Sequence, residues 1–108
     1  VDNLMDREWP EEKRRRFVVR AALHPEISKL HDLRTRTSGH RDFAQFHVNL
    51  PARMTVGQAH EVIERVEQDL CREFPGLELL IHIDPAGHVD EPGNPLAETD
   101  EFRKLADS

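Results

Sequence analysis

The sequence predicts an α/β two-layer sandwich with the element order α-β-β-α-β. Three stretches carry that expectation. Residues 42–50, "DFAQFHVNL", alternate apolar and polar side chains as a half-buried strand does. Residues 55–74 open on Thr55 and repeat apolar residues at helical spacing through Val56, Ala59, Ile63, Val66, Leu70 and Phe74. Residues 77–84 are a short apolar run ending at a proline, "LLIHIDP" over 79–85.

Taken in order, Pro10 followed by Glu11 and Glu12 suits the first turn of a helix, where proline is tolerated and acids face the positive end of the dipole. That helix is expected to run to about Leu23, with His24-Pro25 ending it. Residues 29–37, "KLHDLRTRT", form a first strand, Gly39 the turn, and 42–50 the second strand of a hairpin. Thr55 is a good N-cap for the second helix, which Pro75-Gly76 stops. Beyond Pro85 the chain turns to glycine, proline and acids without periodicity, and 86–108 reads as an acidic flexible tail. The organisation expected is a linker over 1–9, one domain over 10–85 and the tail over 86–108.

A chain of 108 residues holds one modest core. The formal net charge is −6 and is concentrated after Pro85, where six acids stand against two bases. That balance argues against a nucleic-acid partner, which calls for a net basic stripe; Lys13 to Arg16 is too short a run to supply one. The single cysteine, Cys71, excludes an intrachain disulfide and fits a small buried thiol. No apolar stretch approaches the ~20 residues a membrane helix needs. The first residue is Val, so the expectation is a piece of a longer protein.

Histidine is the compositional oddity, seven of them in a chain without tyrosine. Strand side chains alternate faces. Ala44, Phe46, Val48 and Leu50 point to the helices, which leaves His47 on the open face. His82 and Asp84 leave the third strand on the side opposite Ile81 and Ile83. If both strands share a sheet, His47, His82 and Asp84 share its open face, and His31 on the hairpin partner can join them. Imidazole nitrogen and carboxylate oxygen together suit a borderline divalent ion such as Zn²⁺, and Asp84 has two oxygens with which to bridge two ions. A polar open face also carries histidine as an ordinary strand residue, so spacing leaves both readings open. His60 flanks the core stripe of the second helix, on the far side of the sheet. An ordinary helix-flank histidine is the plainer reading there; a ligand requires a site at the sheet edge or a second subunit. His24, His40 and His88 adjoin turns and read as solvated, with His88 beside Asp90 a weak extra site. No nucleophile with a base beside it and no glycine-rich phosphate loop is present, so an enzyme is not expected.

Several segments together carry a family resemblance: "HDLRTRTSG" (31–39), "FAQFHVNL" (43–50), "QAHEVIERVEQDL" (58–70) and "EFPGLELLIHIDP" (73–85). They resemble the cytoplasmic C-terminal domain of cation diffusion facilitators, most of all the bacterial zinc and ferrous-iron efflux branch. "LMDREWP" (4–10) is similar to the segment that leaves the last transmembrane helix. The resemblance covers roughly residues 4–90 and stops near Glu91. It implies a metallochaperone-like, ferredoxin-like variant with a three-stranded mixed sheet, forming a symmetric homodimer. It also implies a binuclear zinc site on His31, His47, His60, His82 and Asp84, with Asp84 bridging, and Fe²⁺, Cd²⁺ or Mn²⁺ as other ions. Asp6 matches an acidic position that pairs with a membrane-domain lysine near the hinge, and Arg36 lies close to that hinge. The function implied is that of a cytoplasmic metal-sensing and dimerisation domain on a divalent-cation/proton antiporter of the inner membrane. A stand-alone metal carrier and a metal-free dimerisation module are the alternatives.

Overall fold

The computed structural model describes residues 6–86 and 100–107. Its elements are α1 (Glu11–Ala21), β1 (Leu30–Ser38), β2 (Arg41–Leu50), α2 (Val56–Glu73), β3 (Leu77–Pro85) and α3 (Glu101–Asp107). The first five follow the expected order. The sheet order is β1-β2-β3, with β1 antiparallel and β3 parallel to the central β2. A parallel neighbour needs a long crossover, which α2 supplies. Among the described residues no helix is long and apolar enough to cross a membrane.

Local chemistry accounts for the element ends. Pro10 precedes α1 in an extended conformation, and Glu11 and Glu12 fill the first turn. Gly39, at φ 63°, stands first in the two-residue turn between the paired Ser38 and Arg41. A tight hairpin wants a positive φ at that place, and glycine adopts it without strain. Thr55 caps α2 through a reciprocal pair: its hydroxyl accepts from the Gln58 N–H, and the Gln58 side chain accepts from the Thr55 N–H, both at 3.0 Å.

The core lies between the sheet and the helices. Phe17 and Phe46 are fully buried and meet edge-on, with Phe74 and Trp9 completing an aromatic cluster at centroid spacings of 5.4–5.9 Å. Trp9, assigned to a linker by the sequence reading, is 5% exposed, and its indole N–H donates to the Arg36 carbonyl at 3.1 Å. The stripe on α2 also differs from expectation. Val62, Val66 and Leu70 are buried and Ala59 and Ile63 partly so, but Val56 is 88% exposed because it opens the helix in an exposed first turn.

Two further differences follow from tertiary contacts. Within the segment expected to be a flexible tail, Glu101–Asp107 are helical, and Phe102 and Leu105 pack against the core. Asp100 anchors this helix: its Oδ1 accepts from the Phe102 N–H at 3.0 Å and the Leu30 N–H at 3.4 Å, while its backbone bridges His31 on the outer edge of β1. His24 is not a solvated loop residue. Its Nε2 lies 2.8 Å from the buried Asp69, and its side chain is 19% exposed. His40 is exposed as expected, whereas His88 and Asp90 lie outside the described residues.

Candidate metal centre

The register of the sheet builds the site. His47 is paired with His31 on one side and His82 on the other, so three histidines from three strands form one row across the sheet. Asn49 and Asp84 are paired two residues further along the same face. Ala44, Phe46 and Val48 alternate with these residues and are buried against the helices, which fixes the histidine row on the opposite, open face.

The side chains converge on Asp84. Its Oδ2 lies 3.3 Å from His31 Nε2 and 3.2 Å from His47 Nδ1. His31 Nε2 also faces Asn49 Oδ1 at 3.2 Å. The His47 and His82 rings stack, with centroids 4.6 Å apart and planes 16° from parallel; His31 and His47 are tilted at 5.4 Å. Sequence reasoning missed two members of this group, Asn49 and Asp32. Asn49 is 5% exposed, and its position on the His47 face of β2 was the available signal. Asp32 offered no such signal. It sits in a bulge where β1 slips against β2 between His31 and Arg34, at φ 51°, and its Oδ2 comes within 3.7 Å of His47 Nε2.

Imidazole nitrogens with carboxylate oxygens are the donor set of a borderline divalent cation, so the residues fit such an ion chemically. Among the described residues, however, no three such side chains are already gathered tightly enough to hold one. The stacking explains part of this, since parallel rings do not aim their nitrogens at one point. His82 is exposed and has room to turn. His60 is not brought to the row: its side chain is 75% exposed, and its Nε2 faces Glu64 one helical turn away at 3.5 Å. Asp6 and Arg36 lie 3.7 Å apart, both more than half exposed, a pair worth little to stability.

The family model described as "cation efflux protein, cytoplasmic domain" matches residues 9–86, most of the chain and all of the sheet. This chain belongs to that family. It is a cytoplasmic domain of a cation efflux protein, and the family is one of transporters rather than enzymes. The domain is 41% identical over 93 residues to the cation-efflux pump FieF of Escherichia coli O127:H6, covering 86% of this chain and 31% of the pump. FieF of Citrobacter koseri matches at 40% over the same length. The chain therefore spans about a third of the length of these curated relatives. Among solved structures, the Zn form of CzrB, a proposed zinc transporter, superposes with a TM-score of 0.66 at 34% identity, over 80% of this chain and 99% of that one. A nickel form of the MamM C-terminal domain gives 0.64 at 27%, over 70% and 98%. The metal-bound C-terminal domain of CzcD from Thermotoga maritima gives 0.67 at 20%, over 76% and 100%, a likeness of fold alone. α3 lies outside the matched residues.

Proposed function

We propose that this cation efflux domain senses cytoplasmic Zn²⁺, or Fe²⁺ or Cd²⁺ in its place, and reports it to an attached divalent-cation/proton antiporter by tightening a homodimer. The observation that carries the reading is the position of Asp84. One of its oxygens lies within 3.3 Å of nitrogens from two other strands, with His82 stacked on one of those rings. His31, His47, His82 and Asp84 are the ligands on the sheet, and Asp84 bridges two ions. His60, remote from the row within its own subunit, completes the shell from the second subunit of a twofold dimer. FieF, a pump, and CzrB in its Zn form support a metal of this class and the attachment to a membrane domain.

An open face with imidazoles and carboxylates on both subunits repels its copy until cations neutralise it. Metal shifts the dimer only by its differential affinity for the two arrangements. Small-angle scattering and sedimentation with and without Zn²⁺ test this. The dimer is expected to become more compact with zinc, and His47→Ala to abolish the change. A zinc-loaded chain that remains monomeric at micromolar concentration would refute the switch.

A further inference from the structure

We propose that Asp32 is a positioning carboxylate for the metal centre: by accepting the Nε2–H of His47 it commits the Nδ1 lone pair of that ring to the ion held by Asp84. The inference rests on the metal-sensing reading above.

The backbone puts Asp32 there. Between His31 and Arg34, three steps along β1 pass two along β2, from His47 to Gln45. The extra residue is taken up at Asp32, whose φ of 51° is the left-handed conformation that Asp and Asn tolerate better than other non-glycine residues. In consequence Leu30 and Leu33 both stay in the core, at 0% and 7% exposure. His31 and Asp32, consecutive between them, both reach the His47 side of the sheet. An unbulged strand would turn one of them away.

The ring of His47 then lies between two carboxylates, with Nδ1 3.2 Å from Asp84 Oδ2 and Nε2 3.7 Å from Asp32 Oδ2. A neutral imidazole has one N–H and one lone pair, and only the lone pair binds metal. Asp84 Oδ2 also faces His31 Nε2, so the metal belongs on the Nδ1 side and the proton on Nε2, facing Asp32. The other oxygen of Asp32 accepts from Arg34 Nε at 3.2 Å, which holds the carboxylate in place. At 3.7 Å the Asp32–His47 contact is an ion-pair distance; a ring shift of roughly half an ångström makes it a hydrogen bond. A metal-bound histidine whose second nitrogen is held by a carboxylate is a recurring arrangement, and loss of such a carboxylate lowers metal affinity by roughly 10- to 100-fold.

The test compares the full chain with Asp32→Gly, Asp32→Asn and Asp84→Ala. Zinc affinity is read by competition with a chromophoric chelator, and the tautomer of His47 by long-range ¹H–¹⁵N spectra of the zinc-loaded chain. Glycine adopts the left-handed conformation freely, so Asp32→Gly keeps the bulge and removes the acceptor. It is expected to bind zinc at least about tenfold more weakly and to show His47 ligating through both nitrogens in a mixture. Asp32→Asn keeps the bulge and a neutral acceptor. It is expected to lose affinity, though less than glycine, and it carries the test if the glycine variant fails to fold. Variants that bind zinc as the parent does, with His47 still ligating through Nδ1, would overturn the role of Asp32 while leaving the metal site intact, provided Asp84→Ala loses zinc. A parent chain that binds no zinc would overturn the metal reading itself, and this inference with it.

Discussion

Asp69 is a charged carboxylate set 7% exposed between α1 and α2. Arg20 donates to it from two nitrogens, at 2.6 and 3.0 Å, and the His24 ring lies at 2.8 Å. The Arg20 hydrogen bonds, helped by His24 and opposed by burial, hold this carboxyl well below the usual carboxylate range. A carboxyl depressed in the folded state stabilises the fold fully above its unfolded value of about 3.9, and that contribution is lost as pH falls from there toward the folded value. Asp69→Asn is therefore expected to destabilise the domain at pH 7 by roughly 1–3 kcal/mol. The difference from the parent should shrink as the pH falls below about 4. Denaturation midpoints of the two chains at pH 7 and pH 3 check this. The sequence could not reveal the partnership, because His24 and Asp69 are 45 residues apart and meet only when the helices pack. Asp32 was hidden for a related reason: its left-handed backbone is set by cross-strand register.

At the scale of elements, what was legible was what local chemistry decides. The Thr55 cap, the Gly39 turn and the alternation of β2 all announce themselves in a few residues. The capping box supports a direct prediction: Thr55→Ala should cost about 1 kcal/mol, read from urea midpoints, with helix content otherwise retained. The stretch that forms α3, with Glu101 and Asp107 balanced by Arg103 and Lys104, is short and has no strong helical pattern of its own. It is helical because Phe102 and Leu105 reach the core and because Arg14 joins Glu101, at 3.4 Å, to the Leu33 carbonyl, at 3.2 Å. Asp100 also closes part of the outer edge of β1, which would otherwise present unpaired backbone groups. Truncation after residue 99 is expected to lower the thermal midpoint by several degrees and to promote self-association through β1. Calorimetry and light scattering would check both effects, with unchanged values showing α3 to be an idle appendage.

At the scale of the molecule, fold and site are built from opposite faces of one sheet. Phe17, Phe46, Val66 and Leu70 fill the core without any proposed ligand, so removing metal with a chelator should leave the circular dichroism unchanged. Binding should instead add stability, by about 2.7 kcal/mol when free zinc stands at 100 times its dissociation constant, seen as a concentration-dependent rise in Tm. Of the five residues proposed as ligands, the sheet register brings four to one face, His31, His47, His82 and Asp84, because strand alternation and pairing are readable from the chain. His60 lies on α2 beside Glu64, away from the row, and its proposed role as a ligand needs a second subunit, which is geometry beyond one chain. The most direct measurement of the central claim is a calorimetric titration of Zn²⁺ into the full chain and into Asp84→Ala. A bridging Asp84 predicts more than one ion per protomer in the parent, and a larger fall in stoichiometry and affinity for Asp84→Ala than for any single His→Ala. Identical isotherms for the parent and Asp84→Ala would contradict it.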